Sequence, residues 1–155
     1  MDMETWRKLF GKSQDDPAVK AALATAGVKK IPKLDDDDTD VRFNLKGHGL
    51  WLMMTDESIL KDLDDQDIGE GPLILSGVGA YLDKSESRDL YNGKLPYKIA
   101  ADMTQATVRK TLGRPTRSDN EARFDLWSRD GVEIIAYYTG GEKLATFTLM
   151  LSGAE

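Results

Sequence analysis

His48 is the only histidine in the chain, and there is no cysteine. A zinc site would therefore have to be completed by carboxylates alone, and disulfides, thiolate sites and thiol nucleophiles are excluded. His48 stands between Gly47 and Gly49, a turn setting rather than a ligand setting. No Gly-x-Ser-x-Gly elbow presents a serine for a hydrolase triad. Gly77-Val78-Gly79 lacks both the third glycine and the helix start of a dinucleotide loop. The acidic runs invite a calcium reading, and both fail it. A loop opening at Asp35 has Asp40 at its sixth position where glycine is required, and one opening at Asp64 has Ile68 at the fifth and Leu75 at the twelfth. Carboxylate pairs for glycoside chemistry are plentiful, but nothing singles one out. These residues predict no catalytic site, no metal and no cofactor.

Charge says more. The 155 residues carry 21 basic and 27 acidic side chains, a net of -6. The imbalance lies in the first 77 residues, with 10 basic against 16 acidic, and 12 of those acidic residues fall between Asp35 and Glu70. A field of that sign repels phosphate backbones and steers basic partners, so nucleic acid is not an expected ligand. The length suits a single domain, taken as 1–155, that buries roughly 70% of its unfolded surface. No apolar run reaches a membrane-spanning length, and the opening Met1-Asp2-Met3-Glu4 is acidic, unlike a secretory signal. The expected location is cytoplasmic, with no membrane partner.

The elements that must position any binding surface are legible in outline. Met3, Trp6, Leu9 and Phe10 predict a short helix closed by Gly11. Asp16 as cap, Pro17 at the first helical position and Val19, Ala22, Leu23 and Ala26 on one face predict a second, stopped by Gly27. Alternation over 41–45 and the apolar run 50–54 predict a hairpin through Gly47-His48-Gly49. Residues 55–71 read as a polar loop with room for a short helix at Ile59, Leu60 and Leu63, and 72–82 as a strand bent by Gly77 and Gly79. Thr104 caps a helix carrying Val108 and Leu112 and ended by Gly113 and Pro115. Strands over 122–127, 132–138 and 144–151 then form an antiparallel meander.

The two halves share this grammar. Ala18-Val19-Lys20-Ala21-Ala22-Leu23 aligns with Thr107-Val108-Arg109-Lys110-Thr111-Leu112, and Val41-Arg42-Phe43-Asn44-Leu45 with Ala122-Arg123-Phe124-Asp125-Leu126. We therefore expect an α+β fold of helices packed on antiparallel sheet, built from two pseudo-repeated units at about 1–84 and 85–155.

The segment Leu95-Pro96-Tyr97-Lys98-Ile99, followed by Asp102-Met103-Thr104-Gln105-Ala106-Thr107-Val108-Arg109-Lys110-Thr111-Leu112-Gly113-Arg114-Pro115, resembles the helix signature of the SmpA/OmlA and β-lactamase-inhibitor-protein superfamily: Met-Thr, then Val, then Leu-Gly-x-Pro. That resemblance implies a helical pair on one face of a small antiparallel sheet, present twice in the inhibitor proteins. The C-terminal unit carries most of it. The signature is a packing device, and none of its residues does chemistry. Phe10-Gly11-Lys12-Ser13-Gln14-Asp15-Asp16-Pro17-Ala18-Val19 together with Leu95-Pro96 resembles immunity proteins of bacterial polymorphic toxins. This second resemblance implies a small, acidic, cytoplasmic protein whose partner is a cognate toxin.

Strand alternation predicts the surface. If Phe43, Leu45, Leu50, Leu52 and Met54 face the helices, Arg42, Asn44, Trp51 and Met53 face away. The same logic puts Phe124 and Leu126 inward with Arg123, Asp125 and Trp127 outward, and Val132, Ile134 and Ala136 inward with Glu133, Ile135 and Tyr137 outward. The expected partner-binding face thus holds Trp51, Met53, Arg123, Trp127, Ile135 and Tyr137, a composition suited to a protein interface. A second candidate surface is the acidic belt of Asp35, Asp36, Asp37 and Asp38 with 62–70, including Asp64 and Asp65. These features predict a binding protein, and the resemblance to immunity proteins implies that it occludes a toxin, such as a nuclease with a basic active site. The alternative is a non-catalytic assembly module of the SmpA/OmlA type.

Overall fold

The computed structural model describes residues 2–153. The helices are short: α1 (Met3–Arg7), α2 (Pro17–Thr25), α3 (Glu57–Leu60) and α4 (Gln105–Leu112). Seven strands, β1 (Asp40–Leu45), β2 (Leu50–Asp56), β3 (Leu73–Tyr81), β4 (Arg117–Asp119), β5 (Phe124–Arg129), β6 (Val132–Tyr138) and β7 (Leu144–Leu151), form one antiparallel sheet in the order β1-β2-β3-β7-β6-β5-β4. The fold is α+β, as the patterning predicts.

The helix starts carry side-chain caps, two of them, at Asp16 and Thr104, as the sequence predicts. Asp2 accepts from the Thr5 amide at 3.1 Å, Asp16 from Ala18 at 2.8 Å ahead of Pro17, and Thr104 from Thr107 at 3.4 Å. Gly113 leaves α4 at φ +89°, a conformation only glycine adopts without strain. Helices α1, α2 and α4 lie on one side of the sheet, while Leu60 of α3 packs on the other. Met3 and Trp6 of α1, Val19, Ala22 and Leu23 of α2, and Val108 and Leu112 of α4 join Leu52, Met54, Val78, Ile134, Phe147 and Leu149 in the main core. Burial of each large side chain there contributes about 1.5–3 kcal/mol. The irregular segment between β3 and α4 helps close this core with Tyr91, Leu95 and Ile99. The Tyr91 hydroxyl accepts from the Met3 amide at 3.2 Å and donates to the Lys94 carbonyl at 2.6 Å, tying that segment to α1.

The expected pairing of β1 with β2 and the meander β5-β6-β7 are present, and β3 pairs β7 to join the halves at mid-sheet. β4 was not anticipated. Its three residues are all exposed, so no apolar pattern marks it.

β5 corrects the sequence reading. Its phase is opposite to the expected one: Asp125 and Trp127 point to the helices, and Phe124 and Leu126 point away. The cause is on α4. Arg109 donates to both carboxylate oxygens of Asp125 at 2.8 and 2.7 Å, and Ser118 and Tyr138 add hydroxyl donors at 2.7 and 2.9 Å. Burial alone would raise the Asp125 carboxyl, but these donors outweigh it and hold its pKa below the ordinary aspartate value. Burial and the adjacent carboxylate push the Tyr138 phenol far up. A charged residue can occupy the core side of β5 because its partners are supplied there.

Candidate functional site

No helix of the described residues is long and apolar enough to cross a membrane. Among the described residues no three His, Cys, Asp or Glu side chains gather as a metal cage. The feature that stands out is the face of the sheet turned away from α1, α2 and α4. At one end of it lies an open groove of about 640 Å³ lined by Arg42, Asn44, Trp51, Tyr81, Glu86, Glu121, Arg123, Tyr137 and Thr146, among others.

The groove is built by register. Asn44 stands opposite Trp51, Trp51 opposite Gly79, Tyr81 opposite Thr146, and Thr146 opposite Tyr137. Gly79 makes the floor flat. A Cβ there would sit 2.1 Å from Cε2 and Nε1 of Trp51, so the indole lies directly on the β3 backbone. The Arg42 guanidinium carbon is 5.3 Å from the Trp51 ring centroid, a cation–π distance. The Tyr81 hydroxyl donates to Asn44 Oδ1 at 2.7 Å, and burial with the nearby Glu86 charge raises its pKa. Tyr137 lines the far wall, and its ring is tilted at 51° to that of Phe124 behind it, with centroids 5.5 Å apart. Arg123 holds φ +59°, an uncommon conformation for a long side chain, and forms no salt bridge among the described residues.

Of the residues expected on this face, Trp51, Arg123 and Tyr137 meet at the groove. Tyr137 is 41% exposed and Trp51 half-buried. Met53 and Ile135 point to the same side, but they are buried, which corrects their expected exposure. Together with Leu126 and Met150 they form a second, smaller core, against which Trp51, Phe124 and Leu60 of α3 pack. They support the surface rather than form it. Trp127 is the clear correction. It is 2% exposed in the main core, and its indole N–H donates to the Gly113 carbonyl at 3.0 Å, closing the end of α4.

The acidic belt is real and lies at the opposite end of the sheet. Asp35, Asp36, Asp37 and Asp38 are exposed in the loop that enters β1, whose first residue Asp40 pairs with Thr55. Asp64 and Asp65 are exposed in the loop that leaves β2 after Asp56. Asp56 itself is fully buried and organises that loop. Its carboxylate accepts from the amides of Ser58 at 3.0 Å and Gly69 at 2.9 Å and from the Ser58 hydroxyl.

Arg42, Asn44, Tyr81 and Glu86 belong to the site without having been singled out from the sequence. Arg42 and Asn44 could have been found from the alternation of β1, which already turned them outward. Tyr81 and the role of Gly79 emerge only from the β2–β3 register. The groove offers aromatic planes, guanidinium donors and an amide, which is binding chemistry. No family model matches the chain, and no curated protein or solved structure is significantly similar to it.

Proposed function

We propose that the chain is a non-catalytic, cytoplasmic inhibitor of the immunity type, which neutralises a cognate bacterial toxin by covering it. The observation that carries this reading is the groove on the face turned away from α1, α2 and α4, where Trp51, Tyr137, Arg42 and Arg123 stand together at the surface. Tryptophan, tyrosine and arginine are the side chains that dominate protein interfaces energetically. The acidic belt adds steering toward a basic target such as a nuclease active site. The belt loop runs directly into β1, whose Arg42 lines the groove, so one partner of ordinary footprint reaches both.

The joining of two three-stranded meanders through β3 and β7, each preceded by a capped helix, supports descent from a duplicated unit of the SmpA/OmlA and β-lactamase-inhibitor-protein kind. The test of function is co-expression with the toxin encoded beside this chain in its genome. Restored growth and a stable co-purified complex are expected. Continued killing with both proteins soluble would overturn the proposal.

A further inference from the structure

The sheet has two outer edges, and they are not alike. β4 is a three-residue edge of exposed polar and charged side chains, the usual protection against strand addition. β1 is six residues long, and its pairing with β2 runs without a register shift. The Asp56 amide donates to the Thr39 carbonyl at 2.8 Å. By the two-residue alternation of an antiparallel ladder, residues 41, 43 and 45 also turn their backbone groups to β2, while Asp40, Arg42 and Asn44 turn theirs outward. None of those outward groups has a backbone partner among the described residues.

We infer that this edge pairs with the β1 edge of a second copy of the chain, antiparallel about a two-fold axis through Phe43. The strand is self-complementary in that register. Phe43, half-buried, meets Phe43 of the second copy in the close, non-hydrogen-bonded position. Arg42 lies opposite Asn44 of the second copy, and such a pair exchanges both N–H···O bonds through the outward groups. Val41 lies opposite Leu45, and Asp40 opposite Lys46, so apolar meets apolar and acid meets base on both sides of the axis. A shift by one pair in either direction breaks the symmetric match of Asp40 with Lys46.

The arrangement has a consequence for the groove. Arg42 and Asn44 line it from β1, so the two-fold axis sets two grooves side by side on one continuous face. A six-residue edge buries less than a standard interface, so the dimer is expected to form in the micromolar range rather than at nanomolar concentration.

Sedimentation velocity from about 1 to about 500 µM tests this. A concentration-dependent monomer–dimer equilibrium is expected. Arg42→Pro removes an outward N–H and none that faces β2, so it abolishes the dimer while circular dichroism shows the sheet intact. Lys46→Asp sets like charges opposite each other twice and weakens dimerisation about tenfold. The double exchange Asp40→Lys with Lys46→Asp restores it. A chain that stays monomeric throughout, or a dimer that survives Arg42→Pro, overturns the inference. So does a double exchange no better than Lys46→Asp alone.

Discussion

Arg109 on α4 and Asp125 on β5 form a bidentate ion pair with N···O distances of 2.8 and 2.7 Å, and the carboxylate is fully buried while the guanidinium keeps one side in water. The pair locks a helix to the sheet and decides which face of β5 turns inward. Removing either charge strands the other or leaves its donors unmatched. Arg109→Leu is expected to cost about 3 kcal/mol, at the low end for a broken buried pair because Arg109 remains partly exposed. Chemical denaturation measures it.

The same pair sets an acid limit. The folded-state pKa of Asp125 lies below its unfolded value, so its contribution is complete above the ordinary aspartate range and is lost as pH falls toward the folded value. Asp125→Asn should therefore be less stable than the parent at pH 7, with a difference that shrinks below about pH 4. Unfolding curves across that range test the sign. A difference that grows on acidification would contradict the assignment.

If the groove holds the proposed partner, Trp51→Ala should weaken its binding by about 2 kcal/mol or more, roughly thirtyfold, through faster dissociation. Gly79→Ala should do the same by lifting the indole off the β3 backbone, since its Cβ has no room beneath the ring. Surface plasmon resonance separates the rates, and near-ultraviolet circular dichroism reports the displaced indole.

Neutralising Asp35, Asp36, Asp37 and Asp38 together should lower the association rate and flatten its dependence on salt, with little change in dissociation. These side chains are exposed and far from the groove floor. If this variant dissociates fast while Trp51→Ala binds like the parent, the belt rather than the groove holds the partner.

Trp127 should behave as core and not as anchor. Trp127→Ala is expected to cost about 3–5 kcal/mol of folding stability. Trp127→Phe should lose less, mainly the bond to the Gly113 carbonyl. Either variant, where folded, should bind the proposed partner with the parent's dissociation rate.

Asp56→Ala should loosen the acidic loop without unfolding the sheet. It leaves the Ser58 and Gly69 amides without their acceptor, so hydrogen exchange at these positions should accelerate by at least tenfold. Limited proteolysis should then cut first within 57–71.

Most of the elements were readable from local signals. Asp16-Pro17 and Thr104 announce helix starts because their side chains cap amides within the same turn, and the alternation of 41–45 and 132–138 records which neighbours will be apolar. β5 shows where such signals run out. Phe124, Leu126 and Trp127 are all apolar, so the pattern is consistent with either phase. Asp125 breaks the tie in the wrong direction unless Arg109, sixteen residues earlier, is known to reach it.

The candidate surface divides along the same line. Its chemistry is set by composition: a cysteine-free, acidic chain with one histidine and with tryptophans and tyrosines within strand segments. Which aromatics reach water depends on how the strands and helices pack. Trp51 does so because the β2–β3 register places Gly79 beneath it, and Trp127 does not because α4 ends over it at Gly113. Composition and period are properties of neighbouring residues along the chain. Register and helix docking depend on residues far apart in sequence, whose energies are realised only when the sheet closes.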